Sequence, residues 1–197
     1  IAQPDVAIVT NIGVSHIGLL KTKENIRKEK LNIINEFHNE SCLFISGNDP
    51  MLMELSEYSK GTKDNKSSQK YDKMDLSNVT SSKLEQAEII TFGTGSKFDY
   101  SAGNIKVVDG RTYFTLINYS QGTEEEIVLN VLGDHNIINA LCALAVAEYY
   151  KIPNSIAKKG LEEYKPIAMR GDIIKSGGLV VIDDIYNASP DKTKSAI

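Results

Sequence analysis

The chain has 197 residues, 41% of them apolar and 24% charged, with 22 basic against 26 acidic side chains for a net charge of -4. That length fits one domain, or one and a piece, able to bury a core without disulfides or a structural metal. The charge balance excludes a basic nucleic-acid footprint and a polybasic membrane patch, and no apolar stretch approaches the roughly 18 to 20 residues of a spanning helix.

Cys42 and Cys142 stand far apart in apolar surroundings, without metal or redox spacing. They read as buried free thiols of a cytoplasmic protein, and no secretory signal opens the chain. The ends read as cuts: residue 1 is Ile, and the chain stops at Ile197, one turn into a helix opened by Pro190 and Asp191.

Val6 to Ile12 is a β-branched run, the pattern of a strand buried on both faces. After the loop Gly13–Gly18, Ile26, Lys30, Ile33, Ile34 and Phe37 recur at helical spacing over residues 22–37, with Thr22 in an imperfect capping box. Ser41 to Ser46 is a second buried strand, closed by Gly47-Asn-Asp-Pro50, and Met51 to Tyr58 is a short helix. This β-α-β-α beginning predicts a parallel sheet. Residues 59–85 are polar with few apolar anchors and read as a mobile or variable surface segment. Glu88 to Phe92 is another strand.

From Tyr100 the pattern changes. Residues 100–108, 111–119 and 125–131 are extended, with turn signals at Asp109-Gly110 and Ser120-Gln-Gly122, which predicts an antiparallel meander attached to the α/β body. Gly133 to Tyr150 reads as a helix with a small apolar face of Ala140, Leu141, Ala143, Leu144 and Ala147. Ile152-Pro153 breaks it, and a shorter helix runs through Ala157 and Leu161. Asp172 to Lys175 and Leu179 to Ile182 are strands joined by Ser176-Gly-Gly178. The predicted domain boundary falls in the loop from Pro166 to Gly171, dividing the chain into 1–166 and 167–197.

Several polar residues fall where ligands gather in open α/β sheets. His16 lies just past the carboxyl end of the first strand. Lys30 is on the apolar side of its helix, either snorkelling outward or aimed into a site where burial lowers its pKa. Asn136 and Asn139, three apart at a helix start, could cap it or read a base or ribose edge. Arg170 is a loop arginine, solvated or suited to an anion. Asp183 and Asp184, followed by Tyr186 and Asn187, form the densest polar cluster and suit a ribose or a metal.

In this order and spacing, Thr10-Asn-Ile-Gly-x-x-His16, Glu29-Lys30, Gly133-x-His-Asn-x-x-Asn139-Ala, Arg170-Gly171 and Asp183-Asp-x-Tyr-Asn-Ala-Ser-Pro190 resemble the Mur ligase family. The resemblance covers nearly the whole chain outside 59–85. It implies the central ATP-binding domain over 1–166 and the beginning of a C-terminal Rossmann-like ligase domain over 167–197. It also implies ATP-dependent amide formation through an acyl phosphate. The last segment looks like the branch that adds D-alanyl-D-alanine to UDP-N-acetylmuramoyl-tripeptide in peptidoglycan precursor synthesis, by a cytoplasmic monomer. Carried over residue by residue, His16 would bind Mg²⁺ and Lys30 would be carbamylated to become a metal partner. Asn136 and Asn139 would meet the adenine, Arg170 and Asp184 the phosphates and ribose, and Tyr186 and Asn187 belong to the same nucleotide motif.

The family's phosphate loop, G-x-x-x-x-G-K-[ST], is nowhere in these residues. It would lie upstream of Ile1 together with a further metal-binding acid, so the chain by itself is expected not to turn over. Ile185 stands where the family carries a small residue. Two other readings are a related ligase for another amino acid and a non-catalytic interaction module with the same fold.

Overall fold

The computed structural model describes residues 3–15, 17–38, 40–63, 79, 81–95, 97–165 and 172–183. A six-stranded sheet takes its strands in chain order: β1 (Val6–Val9), β2 (Cys42–Ser46), β3 (Glu88–Thr94), β4 (Tyr100–Val108), β5 (Arg111–Asn118) and β6 (Thr123–Leu129). The first four are parallel, in register Val6 with Cys42, Cys42 with Glu88, and Phe92 with Tyr100. β4 and β5 are joined by Asp109 and Gly110, with φ of 50° and 76°. Two positive φ values make the tight hairpin turn whose twist matches the strands, so the sheet turns antiparallel here as the sequence predicts.

The contacts divide the chain into two units, the division running through β4 and β5. In the first, residues 1–102 and 117–123, β2 is buried along its whole length, as an inner strand covered on both faces must be. Its crossover from β1 contains α1 (Ile17–Leu20) and α2 (Lys23–Leu31). Thr22 caps α2 by accepting the Asn25 N–H at 3.1 Å. The crossover to β3 contains α3 (Pro50–Lys63) and α4 (Ser81–Gln86). Leu31, Ile34, Leu43, Ile45, Leu52 and Leu84 are wholly buried in one core with Ala7 and Val9 of β1.

Three expectations change. β1 is not buried on both faces: it ends the strand order, and Ile8 is 46% exposed while Ala7 and Val9 face the core. The single helix expected over 22–37 stops at Leu31 and tightens into a 3-10 turn, Asn32–Glu36, which leaves Ile33 exposed and buries Ile34. The polar stretch is partly structured, because α3 runs on to Lys63 and α4 brings Leu84 into the core, joined there by Val79.

The second unit comprises 103–116 and 124–197. Its α5 (Asp134–Tyr149) buries Ile137, Ala140, Leu141, Leu144 and Ala145, whereas Ala143 faces outward. Pro153 opens α6 (Asn154–Glu163), which packs on α5. β7 (Asp172–Ser176) and β8 (Leu179–Asp183) form a separate antiparallel pair, register Ile173 with Ile182, turned by Gly177 and Gly178 at φ of 56° and 80°.

Candidate active site

The carboxyl ends of β1, β2 and β3 lie along one edge of the parallel part of the sheet, where the chain must leave each strand and cannot satisfy its last backbone groups by the ladder. Side chains take over there. Lys30, at the end of α2, donates its Nζ to the Asn11 carbonyl at 2.6 Å and lies 3.4 Å from the Asn11 side-chain oxygen. Burial lowers the Lys30 pKa below that of an ordinary lysine, and the Asp49 carboxylate partly opposes the shift. The lysine is thus aimed at the strand edge. The cation on the core face of α2 is Arg27 instead, 5% exposed and paired with Glu54 at 2.7 Å.

The loop after β2 is tied on three sides. Asn48 exchanges hydrogen bonds with Thr94, its amide donating to the Thr94 carbonyl at 2.9 Å and its oxygen accepting the Thr94 N–H at 2.8 Å. A Cβ at Gly47 or Gly93 would overlap the Phe98 ring, so these glycines let the ring cover both strand ends. Asp49 accepts the N–H groups of Met51 and Leu52 at 2.9 and 3.2 Å, the N-cap of α3, and with its other oxygen the N–H of Ile12 at 2.6 Å. Sequence reasoning read residues 47–50 only as a turn. An Asp directly before the Pro that opens a helix is a capping signal, but nothing local shows that its second oxygen reaches Ile12.

In the second unit Gly133 precedes α5 at φ of 99°, a conformation that favours glycine, and His135 lies over it. Asn136 donates its side-chain amide back to the Leu132 carbonyl at 2.8 Å, so it serves the helix start without being its N-cap. Asn139 is exposed one turn on, between the buried Ile137 and Ala140. His16, Arg170, Asp184, Tyr186 and Asn187 lie outside the described residues. Among the described residues no group of three or more His, Cys, Asp and Glu could hold a metal ion, and no helix is long and apolar enough to cross a membrane.

The pattern of the Mur ligase middle domain matches residues 1–147. The chain is 34% identical over 198 residues to the UDP-N-acetylmuramoyl-tripeptide–D-alanyl-D-alanine ligase of Bacillus subtilis, a match that takes in 100% of this chain and 36% of the relative. It is 28% identical to the UDP-N-acetylmuramate–L-alanine ligase of Desulforapulum autotrophicum, over 98% of this chain and 37% of that protein. Its fold resembles a crystal structure of MurF from Acinetobacter baumannii with a TM-score of 0.77 at 24% identity, covering 98% of this chain and 36% of the other. The chain therefore spans little more than a third of the length of these relatives. A parallel sheet with a meander appended, read together with the family pattern along its first three quarters, places this chain in the Mur ligase family.

Proposed function

We propose that the protein is an ATP-dependent ligase of peptidoglycan precursor synthesis that joins D-alanyl-D-alanine to UDP-N-acetylmuramoyl-tripeptide in the cytoplasm, acting as a monomer. Residues 1–166 belong to its central ATP-binding domain and 167–197 begin its C-terminal domain. The 34% identity to the Bacillus subtilis ligase over the whole chain supports the choice of substrates. The observation that carries the chemistry is Lys30 held at the carboxyl edge of β1.

In this reading the tripeptide carboxylate attacks the γ-phosphorus of ATP, ADP leaves, and an acyl phosphate forms. The amine of D-alanyl-D-alanine then attacks the acyl carbon, phosphate departs, and the amine gives up its proton. Lys30 suits a metal-binding role only after reaction of its neutral amine with CO₂, because an ammonium would repel a cation while a carbamate offers oxygen donors. Lowering the lysine pKa by burial favours the neutral amine. Mg²⁺, held by His16 and the Lys30 carbamate, would neutralise phosphate charge. Asn136 and Asn139 would face the adenine, Arg170 and Asp184 the phosphates and ribose, and Tyr186 and Asn187 would complete the nucleotide site.

The test is phosphate release by the full-length gene product. Release that requires ATP, UDP-N-acetylmuramoyl-tripeptide and D-alanyl-D-alanine together is expected. Release with UDP-N-acetylmuramate and L-alanine instead would transfer the protein to the second reading, which the similarity to the L-alanine ligase favours. No release with any acceptor would leave an interaction module.

A further inference from the structure

We propose that Asp49 is a positioning residue for Lys30, acting through the peptide group that links Asn11 to Ile12; the inference rests on the role given to Lys30 above. The Asn11 carbonyl, which receives the Lys30 Nζ at 2.6 Å, and the Ile12 N–H, which donates to Asp49 at 2.6 Å, belong to the same peptide unit. That unit is planar and trans, so its C=O and N–H point in opposite directions and turn together. The lysine nitrogen, which keeps an N–H to donate even as a carbamate, holds one end, and a carboxylate holds the other by the stronger, charge-assisted kind of hydrogen bond. Fixing the N–H fixes the direction in which the carbonyl meets the lysine.

The choice of residue fits this task better than it fits capping. An N-cap needs one oxygen, which Ser, Thr or Asn also supplies. Asp49 has one oxygen on Met51 and Leu52 and the second on Ile12, so three backbone donors from two distant segments meet a group with acceptors only. An asparagine would have to turn its NH₂ toward one of those N–H groups. The carboxylate is itself held in place, since the neighbouring Asn48 is bonded to Thr94 and the Gly47 N–H donates to the Phe92 carbonyl at 2.8 Å. The fixed end of β2 thus sets the free end of β1.

The test compares Asp49→Ser, Lys30→Ala and the double variant in the full-length enzyme. Serine keeps an oxygen for the cap but is too short to hold Ile12 as well. The thermal midpoint is expected to stay near that of the parent while the Ile12 amide exchanges faster with solvent. The value of kcat should fall roughly 10²-fold, as for a misplaced catalytic group, and KM for ATP should stay within about twofold. The double variant should be no worse than Lys30→Ala alone, because Asp49 acts through the lysine. Asp49→Asn, nearly identical in shape, is expected to show the same loss and replaces the serine variant if that one fails to fold. Parental kcat in a folded Asp49 variant, or a loss that multiplies in the double variant, overturns the inference. If Lys30→Ala keeps parental activity, the role of the lysine falls on its own; the clamp is then judged by exchange, and unchanged Ile12 exchange in Asp49→Ser overturns it.

Discussion

Lys30 is an exposed residue that nevertheless bonds the Asn11 carbonyl, and what that contact does depends on which form of the side chain the site uses. A neutral amine can add CO₂ and end as an anion, which a guanidinium cannot do. Lys30→Arg in the full-length ligase is therefore expected to be as inactive as Lys30→Ala, roughly 10²-fold or more below the parent in phosphate release, although it keeps the charge. Equal activity of the arginine variant would show that positive charge alone is what the site needs. The two cysteines behave oppositely to reactive groups. Burial pushes the Cys42 thiol from 9.0 up to about 12, with Glu88 adding to the effect, and the Cys142 thiol up to about 11. Thiolates then form more readily in the unfolded chain, so stability should fall as pH rises from about 9 toward 11 or 12, by at most about 1.4 kcal/mol per pH unit for each thiol. Denaturant unfolding on either side of pH 9 reads the slope. Below pH 9 neither cysteine should be alkylated in the folded protein, as mapped by mass spectrometry. The sequence already implied these inert thiols, because an apolar neighbourhood is local. It did not reveal that Asp49 reaches Ile12, which lies 37 residues away along the chain.

At the scale of the element, periodicity exposes long units and overlooks short ones. α5 has several turns of small apolar residues and was legible, apart from Ala143 facing out where Ala145 faces in. α4 has six residues and, among its described side chains, one wholly buried, Leu84, too little to show a period in a polar surrounding. Leu84→Ala should cost about 2 to 5 kcal/mol, the range of a buried leucine, if α4 contributes to the core as the structure shows. A loss under about 0.5 kcal/mol in equilibrium unfolding would return the segment to the surface. The strands were legible from β-branched runs and turn pairs, because Asp109-Gly110 and Gly177-Gly178 supply the positive φ values that tight hairpins require. The exposure of Ile8 was not legible, since whether a strand is inner or outer depends on its neighbours and not on its own residues. Nor was the end of α2, where one apolar pattern serves both a helix and the 3-10 turn after it.

For the whole molecule, the resemblance proposes roles for residues that spacing alone left open between structural and chemical readings. Lys30 lies in the last turn of α2 and Asn136 in the first turn of α5. The sequence of this chain contains no phosphate loop, the part of a nucleotide site whose backbone amides and lysine cradle the phosphates. The 197-residue chain expressed alone is expected to release no phosphate from ATP under conditions in which the full-length product does; measurable turnover by the chain alone would mean that another segment supplies that cradle. The two ways in which the strands are joined also set a schedule for folding. The β4–β5 hairpin closes across two residues, a microsecond event in isolated hairpins. β1 pairs with β2 only after the polypeptide has passed through α1, α2 and the 3-10 turn, and β2 with β3 only after a longer detour through α3 and α4. Such distant partners pay their loop-closure entropy before any contact rewards it. The strand that leads to Asn11 leaves the ribosome before β2 and must wait for it. In the interval its apolar run stays open to other chains, to chaperones and to proteases, so the yield of active protein depends on how soon Cys42–Ser46 arrives.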